Sequence, residues 1–153
     1  MRKREKEITD PAVIEEVINR ASVCRIAMCD GGKPYVVPMN FGYRDGRVYL
    51  HAAREGRKLD ILRENNHVCF EVDVDHELET AGHSCGYDMR YRSVIAFGKA
   101  FLVEDDDEKR RGLDAIMEHY GEEGPHLYRE KNLSLTQVIR IDIEEITAKA
   151  NGY

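Results

Sequence analysis

Apolar residues in this chain recur with a period of two in most segments and with a helical period in three, so a β-rich domain with a few helices is expected. The first helical segment opens at Asp10-Pro11, a side-chain cap followed by proline at the first helical position, and carries Val13, Ile14, Val17, Ile18 and Ala21 at helical spacing. Residues 57–64 repeat the pattern with Leu59 and Leu62 inward and stop at Asn65-Asn66. Residues 105–120 open with acids, as the helix dipole prefers, and present Leu113, Ile116, Met117 and Tyr120. Strands are expected at 23–28, 35–43, 47–52, 68–74, 92–103 and 137–143. Two turn signals, Asp30-Gly31-Gly32-Lys33 and Arg44-Asp45-Gly46-Arg47, tie neighbouring strands into hairpins. Residues 75–89 and 121–132 show no period and are read as loops.

Six or so hairpin-connected strands with flanking helices predict a mostly β fold, an antiparallel β-barrel with helices at its sides. No linker or repeat interrupts the pattern, so residues 1–153 are read as one domain.

Composition narrows the function classes. The apolar share of 42% is spread in short blocks, too short for a membrane span and too high for disorder. The start, MRKREKEITD, is basic but has no apolar stretch after it, so a cytoplasmic protein is expected. The four cysteines include no CxxC pair and are read as reduced thiols, Cys24 and Cys69 serving as small apolar residues. A net charge of −6 argues against a nucleic-acid partner, which needs a basic face. Basic residues do cluster at Arg54, Arg57 and Lys58 and at Arg90 and Arg92, a pattern that suits a small anion.

The densest chemistry lies in residues 35–62. If Asp45-Gly46 are the two hairpin loop residues, Tyr43 pairs with Val48, Phe41 with Leu50 and Met39 with Ala52 on one face. On the other face Gly42 then meets Tyr49 and Asn40 meets His51, placing Asn40 and His51 on one patch. The strand leads into Gly56-Arg57-Lys58, where free N–H groups at a helix start and two basic side chains suit a phosphate. Positive side chains at a helix start otherwise oppose the dipole, which favours a functional reason for them, while a solvated surface pair and a His51 that simply faces solvent stand as the equal alternative. Arg90-Tyr91-Arg92-Ser93-Val94 is a second candidate, since either face of that strand offers an arginine or a hydroxyl to an anion. His76, His83 and Cys85 do not have a zinc-site spacing and are read as loop residues.

The segments VPMNFGYRDGRVYLHAAREGRKLDIL and MRYRSVIAFGKA, with the terminal strand, make the chain resemble the pyridoxamine 5′-phosphate oxidase-like, flavin-binding split-barrel proteins, and within them the 5-nitroimidazole-resistance branch. The resemblance implies a homodimer of split β-barrels with FMN in a groove at the subunit interface. Pro38, Met39, Asn40 and Phe41 would line the isoalloxazine edge through backbone groups. His51 and Ala52 would lie beside the flavin, Arg57 and Lys58 would hold its phosphate, and Ser93, with Arg92, would complete the pocket. It also implies electron transfer from NAD(P)H through FMN to a small acceptor such as a nitroaromatic, with His51 as proton donor. A flavin- or haem-binding protein without turnover is the alternative, and a deazaflavin in place of FMN stays open. Pyridoxamine phosphate oxidases carry a longer C-terminal segment, whereas this sequence closes at Ala150-Asn151-Gly152-Tyr153, so vitamin synthesis is not the expected role.

Overall fold

The structure, a computed structural model, describes residues 4–153. Its frame is one antiparallel sheet. Strands β2 (Cys24–Asp30) and β3 (Lys33–Met39) form a hairpin, β4 (Gly42–Arg44) and β5 (Arg47–Ala53) a second, and β6 (His67–Glu79) and β7 (Asp88–Val103) a third. The last strand, β8 (Thr136–Asn151), lies between β7 and β5 and also pairs with the short β1 (Glu7–Ile8). The spatial order is β3-β2-β6-β7-β8-β5-β4.

The two edge strands, β3 and β4, are consecutive in the chain and separated only by Asn40 and Phe41. Two intervening residues hold Met39 and Gly42 within about 11 Å of one another. The sheet must therefore curl until its edges approach, and they are joined by the chain itself, with no β3–β4 ladder. This is a split barrel.

Even-numbered residues of β6 and β7 fill the interior: Val68, Phe70, Val72, Val94, Ala96 and Ala100 are all buried. Helix α1 (Pro11–Arg20) covers one end with Val17 and Ile18, its cap formed as the sequence predicts, Ala12 N–H donating to Asp10 Oδ1 at 2.9 Å. Helix α2 (Arg57–Glu64) buries Leu59, Ile61 and Leu62 in the same core. Helix α3 (Asp106–His119) lies outside, where Ala115 and Ile116 pack with Tyr49, Val103 and Val138 in a second cluster. Strand β5 is thus buried on both faces, Val48 and Leu50 inward and Tyr49 under α3.

Five expectations change. The strand expected over 35–43 breaks at Asn40-Phe41, where the chain passes from one sheet edge to the other. The loop expected over 75–89 is shorter: 75–79 and 88–89 extend β6 and β7 into a hairpin arm, and 80–87 connect them. Ion pairs of Arg90 with Glu77 (3.3 Å) and Glu79 (3.7 Å), rather than apolar alternation, hold the arm. The last strand runs to Asn151 instead of 143, because a bulge opposite Phe97 and Gly98 moves the inward residues from Ile139 and Ile141 to Ala148. Within 121–132 the chain begins a six-residue helix, α4 (Glu130–Leu135), too short to show a period. The buried face of α3 also differs: it packs through Gly112, Ala115 and Ile116, leaving Met117 and Tyr120 exposed.

Candidate functional site

The segment from β5 into α2 forms as expected. Gly56 sits at φ +132°, a conformation that side-chain-bearing residues rarely adopt, and no side chain caps the helix it starts. Its first N–H groups are therefore open to a ligand. Lys58 is half-buried and has no ion pair or hydrogen bond among the described residues. Arg57 reaches away, pairing with Asp30 at 3.2 Å and stacking on Tyr35 at 4.6 Å. Both partners of that pair are about half exposed, so the bond is worth at most about 1 kcal/mol and an incoming anion could recruit the guanidinium. Along β3, Tyr35 lies about 13 Å from Met39, so this strand runs from the basic helix start toward the Asn40 crossing.

The crossing is clamped from α3. Phe41 is fully buried, edge-on to Phe70 (5.4 Å) and under His119 (4.2 Å). The His119 ring lies 2.7 Å, Nε2 to oxygen, from the Ala21 carbonyl. Tyr120 bridges the gap that the sheet leaves open: its hydroxyl accepts from Phe41 N–H at 3.3 Å and donates to Ser22 O at 2.7 Å. Pro38, Met39, Asn40, Ser22, Val23 and Tyr120 line a shallow open cavity of about 330 Å³ there. Beneath it the Cys24 thiol donates to Met39 O at 3.3 Å, and burial pushes that thiol up to about 12.

The hairpin register is correct near the turn, Tyr43 facing Val48 and Gly42 facing Tyr49. It ends there. His51 pairs with Val138 of β8, and Asn40 lies in the crossing, so Asn40 and His51 do not share a patch. His51 instead opens on a groove of about 350 Å³ walled by Leu113, Ile116 and Met117 of α3, the segment Leu127-Tyr128-Arg129, Asn132 and Leu133 of α4, and Thr136. Ala52 points the other way, packed against the barrel core.

Arg92 and Ser93 lie on β7, Ser93 between Asp73 and Lys149. Arg92 donates to Asp75 Oδ2 at 2.5 Å and stacks on Tyr153 at 4.1 Å; Arg20 pairs with the same carboxylate. Burial raises the Asp75 pKa, but Arg92 and Arg20 outweigh it and hold the carboxyl below its ordinary value. His76 pairs with Asp73 at 2.6 Å, and no group of three or more metal-ligating side chains occurs among the described residues. The chain therefore places the candidate residues on separate surfaces: Pro38–Asn40 at the crossing, His51 at the groove, Arg57 and Lys58 at α2, Arg92 and Ser93 on β7. Tyr120 carried only an apolar-face signal in the sequence. The groove residues from Leu127 to Leu133 carried none, because their stretch has no period.

The family model for pyridoxamine 5′-phosphate oxidase matches residues 10–150. No curated protein matches the sequence. Among solved structures, a candidate 5-nitroimidazole antibiotic resistance protein of Bacteroides thetaiotaomicron is 37% identical, with TM-score 0.84, over 94% of this chain and 86% of that one. The FAD and heme binding protein of Mycobacterium smegmatis shares the fold at TM-score 0.87 and 22% identity, over 97% of this chain and 74% of that one. The flavocytochrome Anf3 of Azotobacter vinelandii does so at TM-score 0.85 and 24% identity, over all of this chain and 72% of that one.

Proposed function

The chain belongs to the pyridoxamine 5′-phosphate oxidase family, and from that premise we propose that it is an FMN-binding oxidoreductase that takes electrons from NAD(P)H and delivers them to a small acceptor such as a nitroaromatic. The observation that carries the reading is the start of α2, uncapped, opened by Gly56 and flanked by a Lys58 without a partner among the described residues. That donor set fits a phosphate: open N–H groups, one uncommitted ammonium and, once it leaves Asp30, the Arg57 guanidinium. From there β3 leads toward the backbone of Pro38, Met39, Asn40 and Phe41, which is assigned to the ring edge. Bound FMN would supply the redox chemistry, and the chain would supply position and electrostatics. His51 is assigned the proton-donor role, with the α3–α4 groove in front of it as the space for the acceptor.

A homodimer completes this reading. The outer face of β7 exposes Ile95 (40%), Phe97 (53%) and Phe101 (39%), an apolar stripe that water disfavours. A second copy covering it would bring residues of another protomer, Arg92 and Ser93 among them, toward a groove that one protomer leaves incomplete. The test is a visible spectrum of the purified protein, FMN titration with thermal melting, and size measurement by light scattering. Flavin absorbance, a rise in Tm with FMN, a dimer mass and anaerobic bleaching by NADH or NADPH are expected. A Soret band with no flavin, or a Tm indifferent to FMN, would refute the proposal.

A further inference from the structure

We propose that the groove between α3, α4 and β5 is a binding site for a small hydrophobic carboxylic acid. The volume, about 350 Å³, is that of a small-molecule site, and its walls are mostly hydrocarbon: Leu113, Ile116 and Met117 on one side, Leu127 and Leu133 on the other. Leu127 is 95% exposed at the rim, so an apolar occupant would remove it from water.

The polar groups of the lining sort by whether they are already used. The Tyr128 hydroxyl donates to Asp114 Oδ1 at 2.8 Å, and the Thr136 hydroxyl donates to Asn132 O at 2.8 Å. Glu130, beside the rim, is taken by Arg110 at 2.5 Å. The side chains of His51, Arg129 and Asn132 have no hydrogen bond or ion pair among the described residues. All three can donate to an oxygen, one is a permanent cation, and no lining residue is acidic. In a chain of net charge −6, a groove with an uncommitted arginine and no carboxylate of its own selects a single anionic head on an apolar body. A planar guanidinium accepts a carboxylate in a paired geometry.

The groove contains His51, so naming its occupant as the acceptor of the reductase rests on the proposed function; the binding itself does not. The test is calorimetric titration of flavin-free protein with 2-naphthoate and with its neutral isostere, 2-naphthamide. Naphthoate is expected to bind about tenfold tighter than the amide, an advantage that Arg129→Gln removes while leaving amide binding unchanged. Met117→Gln, at an exposed wall position, is expected to weaken both ligands. Equal affinities for acid and amide, or unchanged naphthoate binding in Arg129→Gln, overturns the proposal. The titration is then repeated in saturating FMN. Retained naphthoate binding supports a separate acid site, whereas competition places the groove inside the flavin footprint and overturns it. Protein that takes up no FMN yet binds naphthoate through Arg129 defeats the flavin reading and sustains this one.

Discussion

Gly42→Ala tests how α3 is held on the barrel. A Cβ at Gly42 would lie 2.5 Å from Ile116 N and closer still to the backbone carbonyl of Ala115, where ordinary contacts begin at 3.4 Å. The obstacle is helix backbone, which cannot rotate aside, so α3 must retreat by about 1 Å. Retreat loosens Ala115 and Ile116 against Tyr49, Val103 and Val138, the whole second cluster. Gaps of this size forfeit a quarter to a half of each contact, and overpacked sites typically cost about 1–3 kcal/mol. With the insertion meeting backbone on three atoms, a cost near the top of that range, about 3 kcal/mol, is expected. For a domain of this size it lowers Tm by roughly 6–12 °C. The control is Gly112→Ala, whose Cβ meets only side chains, Tyr49 Cδ1 at 2.8 Å and Val138 Cγ1 at 2.9 Å. Those can shift, and alanine recovers about 1 kcal/mol of helix propensity, so about 1 kcal/mol or less is expected. Thermal and urea denaturation of both variants measure the difference. Equal costs, or a Gly42→Ala melt within about 2 °C of the parent, would refute the backbone-contact argument.

Other outcomes follow from single contacts. Lys58→Ala should weaken FMN binding about tenfold by calorimetry, the loss of one charge-assisted bond; an unchanged Kd removes Lys58 from the phosphate site. Tyr120→Phe frees Phe41 N–H and Ser22 O at a half-exposed position that water can reach, so a loss of about 1 kcal/mol and faster hydrogen exchange at the Phe41 amide are expected. Because Asp75 is held below its ordinary value, its contribution to stability is full above the unfolded carboxylate pKa, about 3.9, and fades as pH falls toward the folded value. Arg92→Gln should therefore move the acid-unfolding midpoint, followed by circular dichroism, to higher pH, and an unmoved midpoint would count against the Arg92–Asp75 pair. The Cys24 thiol, pushed up to about 12 by burial, should resist Ellman's reagent at pH 8 until the protein unfolds, while exposed Cys29 and Cys85 react in the native state.

What could be read from the residues was local. Asp10-Pro11 predicts the start of α1, and Gly56 with Asn65 predicts the bounds of α2, because each is set by chemistry within a few residues. Asp45-Gly46 predicts the turn register for the same reason, both residues adopting positive φ. The misread regions depend on partners far along the chain. The β6–β7 arm is held by cross-strand charge pairs, which leave no hydrophobic period. The second half of β8 is hidden by one extra residue: after the bulge, inward positions switch phase, so alternation read from Val138 ends at Ile143 although the strand does not. The groove was illegible because its walls come from α3, a non-periodic segment and a helix of six residues.

The break at Asn40-Phe41 links these points to function. A continuous strand there would have put Asn40 beside His51 and closed the hairpin face within one chain. The crossing instead gives its ladder bonds up, and a tyrosine and a histidine from α3 hold Phe41 in their place. Pro38 and Met39 are thereby left at the end of an edge strand that pairs only with β2, and Asn40 at an open rim. Unpaired backbone at a sheet edge needs either water or a partner. The same chain exposes an apolar stripe on β7 that needs a covering surface. The proposed function would answer both demands with one arrangement: a flat, hydrogen-bonding ligand on the rim and a second copy on the stripe. If the protein proves monomeric while binding FMN tightly, the two demands are independent, and the ligand site must be completed from within one chain.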